Sequence, residues 1–293
     1  MLRIEGIDRS FGDRKVLDDV TFTVERGRLT GFVGGNGAGK TTTMRIILGV
    51  LAADAGRVTL DGHALTPEDR VDFGYMPEER GLYPKMKVLE QVAYLARLHG
   101  YSRTEATERA RTLLGRLGLG ERLNDPVESL SLGNQQRAQL AAALVHEPSV
   151  LILDEPFSGL DPLAVDAVAA VLQERAAAGA CVLFSSHQLD LVERLCDDLV
   201  IIVAGRIRAA GSRAGLRSEH AGRRYELVAD GDLGWLRAEP AVDLVQLADG
   251  TAVFDADEGV AQRVLGTAVS AGQVSRFSRV QPSLAEIFRE VVA

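Results

Sequence analysis

Along the 293 residues the spacing of hydrophobic and polar side chains changes character several times, and each change predicts an element. Leu2-Arg3-Ile4-Glu5 and Val20-Thr21-Phe22-Thr23-Val24 alternate with period two, the pattern of strands with one covered face. Ser10-Phe11-Gly12 between them sets an aromatic in a turn. Residues 29–33 read as a buried strand and 41–50 as the helix that follows it. Residues 57–62 form a strand ending in a turn, and 73–76 a short strand that runs into the polar loop Pro77-Glu78-Glu79-Arg80. From 89 to 145 the rhythm becomes helical: Leu89, Val92 and Ala96 recur on one face, as do Ala106, Ala110, Leu113, Leu114 and Leu117. The continuous apolar run Val150-Leu151-Ile152-Leu153 then predicts a strand buried on both faces. An alanine-rich helix and the strand Cys181-Val182-Leu183-Phe184 follow.

The expected fold is therefore α/β: a core of buried strands and helices with an N-terminal antiparallel β segment and a helical insertion over about residues 88–146. After about residue 215 the pattern changes again. Residues 223–229 predict a strand, 233–237 a short helix, 242–247 and 251–254 a hairpin across Ala248-Asp249-Gly250. Val260, Val264, Leu265 and Ala268 then mark a helix, and 274–277 a strand. This β-α-β-β-α-β order predicts a small, ferredoxin-like α+β domain over 216–293, separate from the domain 1–215. Ser283 and Glu286 have capping-box spacing ahead of an amphipathic last helix. That helix reads first as a seal on the small domain, and second as a partner surface.

Chemistry enters at Gly34-Gly35-Asn36-Gly37-Ala38-Gly39-Lys40-Thr41, which fits G-x-x-x-x-G-K-[ST] between a predicted strand and a predicted helix. Glycines allow a tight turn whose N–H groups point at phosphates, and the helix N-terminus adds its own unpaired donors at Thr41 and Thr42. Lys40 supplies a cation for the β- and γ-phosphates and Thr41 a hydroxyl for Mg²⁺, so ATP with Mg²⁺ is the expected ligand pair. Asp154 and Glu155 end the strand 150–153 at the rim where open parallel sheets bind ligands. Asp154 is placed to hold Mg²⁺ and Glu155 to act as general base on water. His187 follows the next strand at the same rim and is placed to donate to the γ-phosphate. Phe11 is either core or a stacking platform for a purine; its place ahead of the phosphate loop favours stacking. Glu78 ends another rim strand, within reach of the metal and the γ-phosphate, and its charge needs an offset from the metal or Arg80. His63, His99, His146 and His220 have no comparable setting and receive no role.

Composition narrows the class. The charged fraction of 25% and hydrophobic fraction of 46% describe a folded domain protein, and a net charge of −8 argues against nucleic acid as partner. Cys181 and Cys196 sit in apolar stretches, as small buried residues of a reducing compartment. No apolar run approaches the roughly 20 residues of a membrane helix, so a membrane function needs another chain to supply the crossing.

Together with Leu130-Ser131-Leu132-Gly133-Asn134-Gln135 and Ser158-Gly159-Leu160-Asp161, these motifs resemble, in order, the ATP-binding subunit of an ABC transporter. The resemblance covers about the first 215 residues. It implies a head-to-tail dimer in which Ser131 and Gly133 of one subunit meet the ATP held by the other, and it counts Asn134 and Asp161 among the nucleotide-binding residues. It further implies an integral membrane permease as partner, a place at the cytoplasmic face of the cell membrane, Glu155 as catalytic base and His187 as the switch histidine. Two departures stand out. The usual Leu-Ser-Gly-Gly-Gln has Leu132 and Asn134 at its third and fifth positions. Glu78 replaces the usual glutamine and, with Gly81-Leu82-Tyr83-Pro84-Lys85-Met86, resembles the sodium-efflux and drug-efflux subgroup. The alternatives are an ABC-type ATPase not engaged in transport and a module that holds ATP without turnover. A single phosphate loop without sustained heptads argues against the first, and Glu155 with His187 against the second.

Overall fold

A computed structural model describes residues 1–79, 81–272 and 274–292. They form two compact units, Met1–Arg213 and Ala214–Ala293.

The first unit begins with a long hairpin, β1 (Leu2–Phe11) and β2 (Arg14–Val24). Its strands run on past the short alternating stretches that predict them, and register shifts bend the ladder between Ile4 and Ser10. Phe11 is thus the last residue of β1, at the mouth of the tight turn Gly12-Asp13. Strand β3 (Leu29–Val33) leads through the glycine-rich loop into α1 (Lys40–Ile47). Then come β4 (Ala55–Leu60), β5 (His63–Ala64) and β6 (Phe73–Met76). The helical block comprises α2 (Val88–Leu98), α3 (Arg103–Arg116) and α4 (Leu132–Leu144). Ser102 and Glu105 form a reciprocal capping box at the start of α3, which fixes where that helix begins. The unit continues through β7 (Val150–Leu153), α5 (Pro162–Ala177), β8 (Cys181–Ser186), α6 (Leu189–Leu195), β9 (Asp198–Val203) and β10 (Arg206–Ser212).

Two sheets share one core. The antiparallel sheet runs β2-β1-β4-β5, and the larger sheet runs β10-β9-β3-β8-β7-β6. In the larger sheet β9, β3, β8, β7 and β6 are parallel, so their C-terminal ends lie on one rim. Strands β3, β7 and β8 are buried on every residue, as expected for parallel strands covered on both faces. Leu2, Ile4, Leu17 and Phe22 of the hairpin pack with Phe32, Met44, Ile152 and Leu183, so the hairpin roofs the phosphate-loop helix and the central strands. Cys181 and Cys196 are buried free thiols, and burial pushes both above the ordinary thiol range.

α7 (Arg213–Glu219) begins at the boundary. The second unit then builds β11 (Arg224–Ala229), β12 (Asp243–Ala248), β13 (Thr251–Asp255), α8 (Glu258–Ala271), β14 (Val274–Arg279) and α9 (Leu284–Val292). Its sheet order is β12-β13-β11-β14 with every neighbouring pair antiparallel, the arrangement of a ferredoxin-like split β-α-β pair. Leu227, Phe254, Val264 and Leu236 lie in a core of its own. Between β11 and β12 the expected helix is a 3-10 turn at Gly234–Ala238, where the Asp232 carboxylate accepts from the Gly234 N–H and tightens the backbone. The Ser283–Glu286 capping box is formed, with Glu286 accepting from the Ser283 N–H at 2.8 Å. Among the described residues no helix is long and apolar enough to cross a membrane.

Candidate functional site

Four strand ends bring the predicted residues to one rim. Strand β3 delivers the glycine-rich loop, β6 delivers Glu78, β7 delivers Asp154 and Glu155, and β8 delivers His187. A cavity of about 410 Å³ opens there, lined by Phe11, Gly35, Asn36, Gly37, Ala38, Gly39, Lys40, Thr41, Thr42, Glu78, Asp154 and Glu155. Arg14 and Val16, from the hairpin, complete the lining.

The loop geometry demands its glycines at two positions in particular. Gly39 has φ 112°, outside the range of ordinary side chains, and a Cβ there would lie 2.6 Å from Leu17 Cδ2. At Gly34 a Cβ would lie 2.5 Å from the Ile202 carbonyl oxygen. The Lys40 ammonium, on a nearly buried side chain, donates to the Gly34 carbonyl at 2.7 Å and the Gly35 carbonyl at 3.3 Å, across the loop. The cation is thereby held at the loop mouth where an anion would sit.

Thr41 Oγ1 donates to Asp154 Oδ2 at 2.7 Å, joining the start of α1 to the end of β7. The other Asp154 oxygen accepts from Ser185 Oγ at 2.6 Å. Ser185 Oγ in turn accepts from the Glu155 N–H at 2.8 Å. Glu155 has φ 51°, a left-handed conformation that is costly for a residue with a Cβ and persists where the surroundings enforce it. Its side chain is 12% exposed, and Oε2 lies 2.9 Å from His187 Nδ1. A carboxylate only accepts, so Nδ1 carries the proton in this contact. Thr41 and Asp154 are hard oxygen donors of the kind Mg²⁺ takes, in the small number it uses when water and substrate phosphates complete its shell.

Other predicted residues lie elsewhere. Ser131 caps α4, its Oγ accepting from the Asn134 N–H at 3.4 Å, and the Asn134 side chain accepts from Arg137. Asp161 caps α5, accepting from the Ala164 N–H at 2.9 Å. A Cβ on Gly133 would meet the Gly159 carbonyl at 3.1 Å, so the two capped turns adjoin each other. None of Ser131, Gly133, Asn134 and Asp161 lines the cavity of its own chain's phosphate loop. Phe11 is half exposed, with the Arg9 guanidinium 4.8 Å from its ring centre. Arg80, the expected counter-charge to Glu78, lies outside the described residues. Sequence reasoning missed Ser185, Arg14, Gln136 and Gln139. The polar tripeptide after residue 184 was the only hint of Ser185, and the two glutamines are hidden in a helical pattern.

Comparison with known proteins places this geometry. Residues 17–158 match the family model described as ABC transporter, and residues 211–292 the model described as ATP-binding protein DrrA1-3-like, C-terminal domain. The uncharacterized ABC transporter ATP-binding protein YhaQ of Bacillus subtilis is 38% identical over 100% of this chain and 98% of its own length. The Nod factor export ATP-binding protein I of Ralstonia nicotianae is 35% identical over 87% of this chain and 80% of its own. A solved ATP-binding subunit of an ABC transporter superposes with a TM-score of 0.69 at 36% identity, covering 75% of this chain and 92% of that one. A phosphate loop facing two strand-end acids, with a relative 38% identical over the whole chain, makes this protein a member of the ABC transporter family, an ATP-binding subunit whose ATPase activity energises a membrane permease.

Proposed function

We propose that this subunit works as one half of an ATP-closed pair of identical chains that drives an export permease from the cytoplasmic face of the membrane. Export is supported by the likeness to a Nod factor export ATP-binding protein. With no membrane-crossing helix among the described residues, the permease is the element that brings the subunit to the membrane.

The single observation that carries the catalytic reading is the 2.7 Å contact of Thr41 Oγ1 with Asp154 Oδ2 beside the buried Lys40. Lys40 and the loop N–H groups bind the phosphates of ATP. Thr41, Asp154 and Glu78 would hold Mg²⁺, which when bound would offset phosphate charge. Glu155 takes the proton of the attacking water, and His187, through Nδ1, fixes the Glu155 carboxylate. Phe11 offers its ring to adenine on the face that Arg9 leaves free. Ser131, Gly133, Asn134 and Asp161 lie on two adjoining turns away from their own chain's cavity, an arrangement suited to meeting the ATP of the second chain.

The test uses Glu155→Gln and Lys40→Ala in the full chain. Glu155→Gln keeps hydrogen bonding but accepts no proton, so turnover falls by about 10²–10⁴-fold while ATP binding persists. Size-exclusion chromatography with ATP and Mg²⁺ then shows a stable dimer. Lys40→Ala loses ATP affinity and shows no ATP-induced dimer. Normal turnover in Glu155→Gln would remove Glu155 as the base, and a monomer under all conditions would remove the paired assembly.

A further inference from the structure

Both acid-bearing loops of the rim are gripped from one helix of the inserted block. On α4, Gln136 and Gln139 are three residues apart and so share a face, and both are almost completely buried. The Gln136 amide donates to the Glu155 carbonyl at 2.8 Å. The Gln139 amide donates to the Pro77 carbonyl at 2.7 Å and the Glu79 carbonyl at 3.1 Å, on either side of Glu78.

Leu140 and Ala143, one turn on from Gln136 and Gln139, are buried on the same face, where an apolar side chain would be buried more cheaply than a primary amide. Among the described residues Gln139 Oε1 has no hydrogen-bond partner, while its NH₂ group holds two carbonyls. What Gln136 holds is a strained residue. Glu155, at φ 51°, is fixed on its N–H side by Ser185 Oγ at 2.8 Å. On its carbonyl side it accepts from Gln136 and, at 3.1 Å, from the Ser158 N–H. The Ser158 bond closes a local turn; Gln136 is the donor that comes from outside it. Removing that donor leaves the Glu155 carbonyl held by the Ser158 turn alone, which loosens the peptide and with it the direction of the carboxylate.

We infer that Gln136 and Gln139 are positioning residues for the ATPase reaction: through them α4 sets the orientation of Glu155 and the placement of Glu78. This rests on the reading of Glu155 as the general base. The helical block is then a mechanical part of the hydrolytic site, with a defined contact to each of the two rim loops.

Gln136→Met keeps the length and apolar stem of the side chain and removes the donor. Measured in the full chain, its kcat is expected to fall by about 10–100-fold, the effect of a small misplacement of a reacting group. ATP affinity and melting temperature stay close to wild type, because neither the phosphate loop nor α4 packing is altered. In a Glu155→Gln background the same change lowers turnover no further. Gln139→Met is expected to raise the Mg²⁺ concentration giving half-maximal turnover at least about threefold, since Glu78 loses its brace on both sides. A kcat for Gln136→Met within twofold of wild type overturns the proposal, as does a loss of kcat that only parallels loss of affinity and melting temperature. An unchanged Mg²⁺ midpoint in Gln139→Met removes the Gln139 half. The Glu155→Gln variant separates the two ideas. If it keeps turnover, the base reading fails; if it alone loses turnover, only the positioning role fails.

Discussion

The Ser185 hydroxyl, on β8, donates at 2.6 Å to Asp154 Oδ1 at the end of the neighbouring β7, with both residues sealed from solvent. The same oxygen accepts the Glu155 N–H, so one hydroxyl ties the two rim acids together across a strand boundary. Ser185→Ala leaves a buried carboxylate oxygen and a backbone N–H each without its partner. Loss of a buried hydrogen-bond partner costs about 1–3 kcal/mol, and denaturant unfolding of the first unit should show a loss of that size. ATP turnover should fall as well, because Glu155 loses its N-terminal tether. Ser185→Thr keeps the hydroxyl and should recover part of the turnover. Equal stability in Ser185→Ala and wild type would show that the bond contributes nothing net.

The packing of His146 against His99 makes stability sensitive to acid. The rings stack at 3.7 Å with an 11° interplanar angle, where α2 ends and α4 passes toward β7. Burial, aided by repulsion from His99 and Arg175, pushes His146 down to about 4, against the pull of Asp72. Its folded value is therefore depressed below the ordinary value of 6.5. A depressed group contributes its full stability above the unfolded value and loses it as pH falls through the folded one. Unfolding free energy should therefore drop between about pH 6.5 and 4, by about 3 kcal/mol from this residue. His146→Phe keeps a stacking ring without a proton site, and its stability should change less over that window. Parallel pH curves for the variant and wild type would assign the acid sensitivity to other groups.

What was legible in the sequence, and what was not, follows from how far each signal reaches. The phosphate loop and the strand ending in Asp154-Glu155 are local patterns, so their elements and their shared rim follow from spacing alone. The small domain's strand order was foreshadowed by its β-α-β-β-α-β succession, yet residues 234–238 formed a 3-10 turn because a local Asp232 contact outweighed a weak helical pattern. Arg14 and Val16 reached the cavity only because the bent hairpin folds over α1, a tertiary fact with no period. Gln136 and Gln139 are polar residues on a buried face. A hydrophobic pattern scores them as solvent-facing, and only the carbonyls they meet explain why they are inside. Ser185 was hidden for the same reason, as a hydroxyl in an apolar strand whose partners come from the strand beside it.

Glu78 remains the residue at which this chain departs from the usual glutamine, and the cavity suggests how its charge is used. Glu78, Asp154 and Glu155 all line the cavity that receives a triphosphate. Without metal, three carboxylates oppose the bound anion, while Lys40 at the loop mouth and Arg14 from the hairpin are cations of the same lining. Glu78→Gln removes one of those repulsions and should tighten metal-free ATP binding by about two- to fivefold at low salt, less as salt screens an exposed charge. With Mg²⁺ present the sign should differ, because the carboxylate that repels phosphate also attracts the ion, and its amide replacement attracts it less. The Mg²⁺-dependent gain in ATP affinity should accordingly shrink in Glu78→Gln. Isothermal titration with ATP in chelator and in excess Mg²⁺, at two salt concentrations, measures that gain directly. The same tightening with and without Mg²⁺ would reduce Glu78 to a plain repulsive charge, and no change in either would place it too far from the phosphates to matter.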